Sequence, residues 1–402
     1  MENRSLQYDV IVVGAGPGGA TAARCCAESG LRTLLLEKAR MPRYKPCGGC
    51  LSLKTIRLLP FDLRPVLENT IFGAKFTYRL KDPFSIRTEK PIAHMVMRDR
   101  FDQLLVQKGI EKGIDFLEGR KVVQVLTQGD QMEVRSAQGD LFRCSHLIGA
   151  DGPESLVAKA ASLQPLKGNG KGIAVEGEIS FPVTAFPRED ETLVHLDFGG
   201  VPNGYSWVFP KKDGLSVGIG GMFQPGKRMN PRQYYERFAS NLPYFEREKA
   251  GQIMGHMLPA YYGEGQKVSA GRVLLVGDAA HLMDPLMGEG IYYAIRSGML
   301  AAEAVLRTEQ TGDAPSEAYQ ALIERHLFGN LRWALYFSKF VFRFDKLAYQ
   351  TLKRYPEIAD HYLRVLEGSE TYQGFVQEMK ERIQNFFGGR LTEKIRKAMR
   401  NL

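Results

Sequence analysis

A glycine-rich turn near the N-terminus has the residue types and the spacing to bind the phosphates of a dinucleotide. Its members are Gly14, Ala15, Gly16, Gly18 and Gly19. In such a turn the first glycine permits the tight bend, the second lets the backbone approach the pyrophosphate, and the third allows close helix packing. The N-terminus of the following helix adds N–H donors and a partial positive charge.

An acidic residue ends the next predicted strand, as in a dinucleotide-binding unit of this kind. Glu37 occupies this position, and Lys38 follows it. The carboxylate of Glu37 is expected to accept hydrogen bonds from the ribose hydroxyls of an adenosine, and we count Lys38 with it as cofactor-binding. Because an acidic residue here disfavours a 2′-phosphate, the turn suits FAD or NAD and not NADP.

Two later segments also end predicted buried strands, and both suit the same cofactor. They are Asp151-Gly152 and Gly277-Asp278. Asp278 is placed to hold a ribityl chain or a ribose oxygen. The loop that leads to the next helix contributes Pro285, Gly288, Gly290 and Ile291. We expect its backbone N–H groups to face the N1–C2=O edge of a flavin, where they stabilise the negative charge of the reduced state. The three segments together predict FAD, held by an interleaved chain.

In combination these segments resemble the flavoproteins that include the aromatic hydroxylases. The run Arg98-Asp99-Arg100-Phe101-Asp102 resembles the RxxFD element of that group. The resemblance implies a cofactor contact for Arg98, although a solvated helix start explains this arginine equally well. We also count Val123 among the cofactor-binding residues.

Two further segments narrow the resemblance to the geranylgeranyl reductase family. One runs from Lys45 through Pro46, Cys47 and Gly48 to Gly49, and the other is the PxxYxWxFP segment at 202–210. The resemblance implies that the Cys-Gly-Gly loop lies beside the isoalloxazine and that the second segment marks the substrate domain. It covers about residues 8–310. Cys50 replaces the alanine of the KPCGGA form, which leaves the lipid carrier open.

The candidate catalytic residues are Cys47, Tyr205 and Trp207. Tyr205 and Trp207 lie two apart on a predicted strand and share a face, so they can wall an elongated apolar cavity; core packing is the alternative. The Cys47 thiol can contact the flavin or donate a proton, and a loop cysteine without a role is the alternative. His281 and Asp284 are acid–base candidates or capping residues.

The reaction implied by the family is reduction of carbon–carbon double bonds in a geranylgeranyl chain, carried by a lipid or a diphosphate. Reduced FAD would deliver hydride from N5 while a proton reaches the other carbon. With one dinucleotide turn recognised, we expect NADPH or a ferredoxin to supply the electrons. The alternative is an FAD-dependent monooxygenase, a hydroxylase or halogenase of the same fold. A halogenase is expected to carry WxWxIP, whereas 205–210 reads YSWVFP. A non-catalytic flavin-binding or lipid-carrier protein is a third, weaker interpretation.

The elements that must position these residues predict an α/β fold. A Rossmann-like FAD-binding domain of the p-hydroxybenzoate hydroxylase kind is expected to be interleaved with a β-sheet substrate domain and followed by a helical C-terminal region. The FAD-binding domain is assigned to 1–70, 98–160 and 268–312, the substrate domain to 71–97 and 161–267, and the C-terminal region to 313–402.

Composition and charge bear on the partners, the metal sites and the location of the protein. The chain has 402 residues, a net charge of +9 and five cysteines. Such a charge suits nucleic acid, an anionic membrane or a phosphorylated substrate and does not choose among them. Because the motifs indicate a flavoprotein, we expect no nucleic-acid partner. Cys47 and Cys50 form a CxxC pair without a second pair, so we expect no metal site. No signal peptide or bilayer-spanning run is apparent, which predicts a cytoplasmic protein, free or peripheral on a membrane.

Two C-terminal segments bear on the membrane question. The aromatic and basic segment 333–349 can line a lipid tunnel, lie at a membrane interface or form buried core. The basic tail 380–402 carries apolar residues at near-helical spacing, which suits either peripheral membrane contact or an ordinary packed helix with a solvated face.

Overall fold

The computed structural model describes residues 6–163, 170–180, 186–223, 230–243, 245, 251–311 and 315–378. The tail 380–402 lies outside the described residues. Within those ranges, no helix has both the length and the apolar character to cross a membrane.

The strands fall into three sheets. They are β1 (Leu6–Val13), β2 (Thr33–Leu36), β3 (Cys50–Ser52), β4 (Leu67–Ile71), β5 (Gly73–Tyr78), β6 (Lys81–Arg87), β7 (Ala93–Val96), β8 (Asp115–Leu117), β9 (Val122–Gln128), β10 (Gln131–Ser136), β11 (Leu141–Gly149), β12 (Lys171–Ser180), β13 (Val194–Phe198), β14 (Gly204–Lys211), β15 (Gly214–Met222), β16 (Met254–Pro259), β17 (Ser269–Ala270) and β18 (Val273–Leu275).

The α-helices surround the sheets and dominate the C-terminal part. They are α1 (Pro17–Glu28), α2 (Leu53–Ile56), α3 (Arg98–Ile110), α4 (Leu156–Ala160), α5 (Pro231–Ala239), α6 (Ile291–Thr311), α7 (Pro315–Ile323), α8 (Gly329–Arg343), α9 (Asp345–Arg354) and α10 (Pro356–Glu367). A π-helical turn, Glu324–Phe328, joins α7 to α8. A further helical stretch spans 372–378.

The first sheet places the cofactor motifs along one edge. Its parallel strands follow the order β18-β11-β1-β2-β8, and the antiparallel meander β9-β10-β11 extends it. The central strands are continuous buried apolar runs, as is typical of a parallel sheet covered on both faces. Because parallel strands all end at the same edge, the residues after β1, β2, β11 and β18 meet there.

Helices α1 and α6 cover the cofactor edge and pack tightly against each other. At Gly298 of α6, a Cβ atom would lie 2.4 Å from the carbonyl oxygen of Gly18. The absent side chain therefore lets the two helices approach to backbone contact, which fixes α6 beside the glycine-rich turn.

The second sheet is formed mainly by the residues predicted to make up the substrate domain. It has the order β16-β12-β15-β14-β13-β5-β6, and a smaller sheet, β3-β7-β4, adjoins it. Tyr349 of α9 packs against this sheet, with its ring 5.6 Å from those of Tyr78 and Phe84. The α/β class, with a Rossmann-like part, a second sheet and a helical C-terminal region, is confirmed. The exact division into three domains stays a prediction.

Candidate cofactor and substrate site

A cavity of about 1130 Å³ runs from the glycine-rich turn after β1 to the face of the second sheet. At the first end it is lined by backbone and polar groups, and at the second by apolar side chains. The polar end is formed by Gly14, Gly16, Gly18, Gly19, Glu37, Lys38, Arg98, Asp151, Gly152 and Asp278. The cavity therefore joins the predicted cofactor residues to the predicted substrate residues.

The glycines of the turn are required for different reasons. Gly14 has φ +103°, and a Cβ there would lie 2.3 Å from the carbonyl oxygen of Ala150. A Cβ on Gly19 would lie 1.9 Å from the carbonyl oxygen of Gly14. At Gly16 a Cβ would meet nothing within 4 Å, and this residue lines the cavity. The first two positions therefore serve the fold, whereas Gly16 keeps space open for a ligand.

Glu37 is buried, with 4% of its surface exposed. Its Oε2 accepts a hydrogen bond from the Ala15 N–H at 2.7 Å, and its Oε1 accepts one from the Ala39 N–H at 3.0 Å. Each carboxylate oxygen has a second lone pair that remains for a ligand. Glu37 therefore shapes the turn as well as lining the cavity beside it.

Asp151 faces α4 with both carboxylate oxygens. It accepts from the Ser155 hydroxyl at 2.5 Å and from the Leu156 N–H at 2.7 Å, and so caps the helix. Burial raises the pKa of Asp151 above its ordinary value. With Gly152, which has φ +87°, it forms the bend that lines the cavity.

Asp278 lies in a cluster of charged groups at the middle of the cavity. His256 Nε2 is 3.4 Å from Asp278 Oδ2 and 2.8 Å from the Lys45 ammonium. Burial acts to raise the pKa of Asp278, but the hydrogen bond with His256 and the charge of Lys45 hold it below its ordinary value. Burial lowers the pKa of Lys45. Sequence reasoning did not assign either residue to the site, since Lys45 was recognised only as the first residue of the Cys-Gly-Gly segment and His256 belongs to no motif.

The loop after Asp278 folds around an internal carboxylate. Oδ1 of Asp284 accepts from the Leu286 and Met287 N–H groups at 2.7 and 3.0 Å. Pro285, Gly288, Gly290 and Ile291 line the cavity, whereas Asp284 and His281 do not. His281 is buried, which lowers its pKa to about 4, so it is neutral near pH 7. Of the two alternatives, the structure favours the capping role for Asp284. His281 ends the helical turn 277–280 through its backbone, and its buried Nδ1 has no hydrogen-bond partner among the described residues.

The Cys-Gly-Gly loop is pressed against the aromatic strand β14. A Cβ on Gly48 would lie 2.7 Å from the Phe209 ring and 3.5 Å from Trp207 Nε1. Cys47, Gly48 and Gly49 all line the cavity together with Tyr205, Trp207 and Phe209. The rings of Tyr205 and Trp207 are 6.3 Å apart, and those of Trp207 and Phe209 are 6.0 Å apart. The three aromatic side chains thus form one wall beside Cys47.

Hydrogen bonds fix the orientation of this wall. Trp207 Nε1 donates to the Ser216 hydroxyl at 3.2 Å, which in turn donates to Glu176 at 3.0 Å. Tyr44 donates to the other oxygen of Glu176 at 2.8 Å. The Tyr205 hydroxyl donates to the Met287 carbonyl in the cofactor loop. The aromatic wall is therefore tied both to the loop before Cys47 and to the cofactor loop.

Arg98 is a buried residue, which excludes the solvated helix start. Its guanidinium donates two hydrogen bonds of 2.9 Å to Asp102, and it lines the cavity. Arg43 reaches the same carboxylate at 3.0 Å. Sequence reasoning missed Arg43, for which no motif gave a signal.

Val123 is not brought to the cavity. Its side chain is 46% exposed on β9, and the neighbouring residues Lys121 and Val122 line the cavity instead. Because successive side chains of a strand point to opposite faces, only one of Val122 and Val123 can face inward. Val122, and not the predicted Val123, therefore lines the cavity.

The C-terminal helices close the apolar end of the cavity, where sequence reasoning had no motif to follow. Phe342 of α8 and Tyr362, Leu363 and Leu366 of α10 line it. The Tyr362 hydroxyl is buried and has no hydrogen-bond partner among the described residues. It is thus a donor left for whatever occupies the cavity.

The polar end of the cavity fits an FAD. Gly16, the N-cap residue of α1, provides no capping side chain, and the first turn of the helix has no acidic residue. The N–H groups and the dipole of this helix N-terminus therefore suit a pyrophosphate. The space at Gly16 and the carboxylate of Glu37 suit the adjoining sugar and phosphates. Because Gly16 has no side chain, the glycine-rich turn leaves space in which a dinucleotide can bind.

Comparisons with known proteins agree. The FAD binding domain family model matches residues 7–236 and 260–328. A digeranylgeranylglycerophospholipid reductase of Thermoplasma volcanium is 31% identical over 76% of this chain and 80% of its own. An uncharacterized protein of Methanosarcina barkeri is 31% identical over 92% of each chain.

Solved structures are similar over almost the whole molecule. A geranylgeranyl bacteriochlorophyll reductase-like protein of Thermoplasma acidophilum has a TM-score of 0.79 and 26% identity, covering 94% of this chain and 99% of its own. A flavin-dependent brominase has a TM-score of 0.73, covering 94% of this chain and 100% of its own, but at 19% identity it shows a common fold alone. FAD is the cofactor of this protein. The chain belongs to the geranylgeranyl reductase family of FAD-dependent oxidoreductases.

Proposed function

We propose that this protein reduces carbon–carbon double bonds in a geranylgeranyl chain that is carried by a lipid or a diphosphate. The observation that carries the proposal is the apolar half of the cavity, which continues from the cofactor end. Its lining includes Ala74, Phe76, Ala174, Val194, Leu196, Leu258, Phe342 and Leu363. An isoprenoid chain has no polar groups to satisfy, so a wall of this composition suits it.

The size of the cavity supports two large ligands. At about 1130 Å³ it exceeds the ~300–1,000 Å³ of ordinary small-molecule sites. A dinucleotide at the polar end still leaves the apolar half for a chain. The relatives named as reductases of geranylgeranyl lipids support the same choice of substrate.

The residues at the place where the polar and apolar halves of the cavity meet have separate roles in the proposed reaction. Bound FAD, in its reduced form, supplies a hydride to one carbon of the alkene. The aromatic wall of Tyr205, Trp207 and Phe209 holds the alkene in place and excludes water. Cys47, on the loop packed against that wall, is positioned to supply the proton that the second carbon requires. Since the Tyr205 hydroxyl donates a hydrogen bond to the backbone carbonyl of Met287, we assign Tyr205 a role in orientation and packing.

The electron donor is proposed to be NADPH or a ferredoxin. The net charge of +9 supports either, because both donors are anionic. Anaerobic addition of each donor to the oxidised holoenzyme, followed by flavin absorbance, separates them. Bleaching by one donor identifies it, and bleaching by neither excludes both.

A cavity-filling variant tests the proposed substrate. Ala174→Phe places a ring in the apolar half, and Val123→Phe adds the same ring to an exposed position of β9 as a control. Ala174→Phe should keep its FAD and lose at least tenfold in activity on a geranylgeranyl lipid, with less effect on a shorter prenyl chain. An equal loss of activity on prenyl chains of all lengths would contradict the assignment of the apolar half to the chain.

The monooxygenase alternative differs from the reductase in its oxygen consumption, which can be measured during the same activity assay. A hydroxylase or halogenase consumes oxygen during turnover, whereas a reductase transfers hydride to the lipid without it. Oxygen uptake in proportion to product would contradict the proposed reduction and favour the monooxygenase.

A further inference from the structure

Helices α8 and α9 expose a row of large apolar side chains. Among the described residues, the three most exposed of this kind are Phe340, Phe344 and Leu347, at 49, 50 and 55%. Tyr336, at 44%, lies one turn before Phe340. Tyr336 and Phe340 share a face of α8, because residues four apart on a helix lie on the same side. The ring of Phe344, the residue that links α8 to α9, is 5.5 Å from that of Phe340, and Leu347 follows in the first turn of α9. We call Tyr336, Phe340, Phe344 and Leu347 the outer stripe.

Basic residues flank the outer stripe. Lys339, Arg343 and Lys346 are all exposed and lie between its members. The single acidic residue from 336 to 347 is Asp345, whose carboxylate faces the Tyr78 hydroxyl at 3.4 Å. Apolar side chains surrounded by positive charge suit the boundary between the headgroups and acyl chains of an anionic bilayer.

The opposite side of the same helix faces the substrate cavity. Phe342 lines the cavity, and at about 100° per residue it lies roughly 200° around α8 from Phe340. One helix therefore separates the outer stripe from the apolar half of the cavity.

We propose that the outer stripe and its basic flank are a docking surface for an anionic lipid bilayer. Docking there would place the apolar half of the cavity within one helix diameter of the acyl chains. Only this second step, the delivery of a lipid substrate, rests on the proposed function.

Vesicle co-flotation with the full-length holoenzyme tests the surface, using phosphatidylcholine alone or mixed with phosphatidylglycerol. F340S/F344S should weaken binding at least tenfold. K339Q/R343Q/K346Q should weaken binding to the anionic vesicles by about a hundredfold. Binding of the native protein should also fall as salt is raised. V123S/L126S removes two exposed apolar side chains from β9 and should bind as the native protein does.

Three results would overturn the proposal. The native protein fails to float with anionic vesicles; the two stripe variants float as well as the native protein; or another occupant covers the stripe. A second copy would appear in light scattering as a dimer that F340S/F344S dissociates. A covering segment at 379–402 would appear as stronger vesicle binding when it is deleted.

Activity on detergent-dispersed lipid separates this proposal from the proposed function. The stripe variants should retain that activity, and a native protein without it would count against the proposed function alone.

Discussion

Three glycines within one turn respond to different constraints, so the same substitution should have different effects at two of them. Gly16→Ala places a methyl group in open space within the cavity, so the apoprotein should melt close to the native temperature while FAD binds at least tenfold more weakly. Gly19→Ala forces a methyl group against a backbone carbonyl, which should cost about 1–3 kcal/mol of unfolding free energy. Apoprotein melting and FAD titration measure both. Equal effects of the two substitutions on stability would contradict the assignment.

Cys47 should be needed for the reaction and not for holding the cofactor. It lines the cavity beside the aromatic wall, while the polar end is built from other residues. Cys47→Ala should therefore retain FAD and lose at least tenfold in reduction of the alkene. Cys47→Ser, which keeps a proton donor of similar size, should lose less. Full activity of Cys47→Ala would refute the proton-donor role.

Asp197 in β13 makes stability depend on pH. Burial raises its pKa to about 6, and its Oδ1 accepts from Thr77 and the Leu80 N–H. Between about pH 4 and pH 6 the folded state binds more protons than the unfolded state, so the carboxylate costs stability as pH rises through this window.

Asp197→Asn keeps the accepting oxygen and removes the charge. The variant should match the native protein near pH 3.5 and exceed it at pH 7 by on the order of 3 kcal/mol. Urea unfolding of both proteins across this range measures the difference, in which the titration of the neighbouring His195 cancels. A difference that does not change with pH would contradict the buried-carboxylate account.

At the scale of elements, the C-terminal helices support the cofactor loop. The Tyr372 hydroxyl, within 372–378, donates to Asp284 at 2.9 Å. The two nitrogens of His361 lie 3.1 Å from Glu370 and 3.2 Å from Glu378, which ties the same stretch to α10. The loop from Asp278 to Ile291 is thus braced by a region that carries none of the sequence motifs.

Tyr372→Phe should therefore affect both stability and cofactor affinity. It leaves a buried carboxylate oxygen without its donor, which costs about 1–3 kcal/mol of unfolding free energy. FAD affinity should fall severalfold, since Asp284 shapes the loop that lines the cavity. Tyr355→Phe, at a residue 45% exposed, is the matched control and should leave both unchanged. An unchanged FAD affinity in Tyr372→Phe would show that the loop does not depend on this brace.

At the scale of the whole molecule, the cofactor half of the site was predictable because its constraints are on the backbone. The turn at Gly14 and the acid at Glu37 follow strands of one parallel sheet, and such strands end at one edge. The same logic predicts an interleaved chain. No such constraint applies to Val123, because the alternation of side chains along β9 does not say which of Val122 and Val123 faces inward.

The closure of the substrate half was not predictable from the sequence. Phe342, Phe340 and Phe344 form one aromatic run, and this pattern is the same whether a ring faces a cavity or solvent. Only the packing of α8 against α10 and the 372–378 stretch decides that Phe342 lines the cavity and the other two do not. Tyr362 likewise belongs to no motif, and its unpartnered hydroxyl follows from the tertiary structure.

The most direct test of the proposed reaction mixes chemically reduced holoenzyme with a geranylgeranyl lipid in the absence of air, followed by mass spectrometry of the lipid. The account predicts a gain of two hydrogens for each double bond reduced, with flavin reoxidised in the same proportion. A lipid of unchanged mass, with flavin that is reoxidised only when air is admitted, would contradict it and move the protein to the oxygen-using alternative.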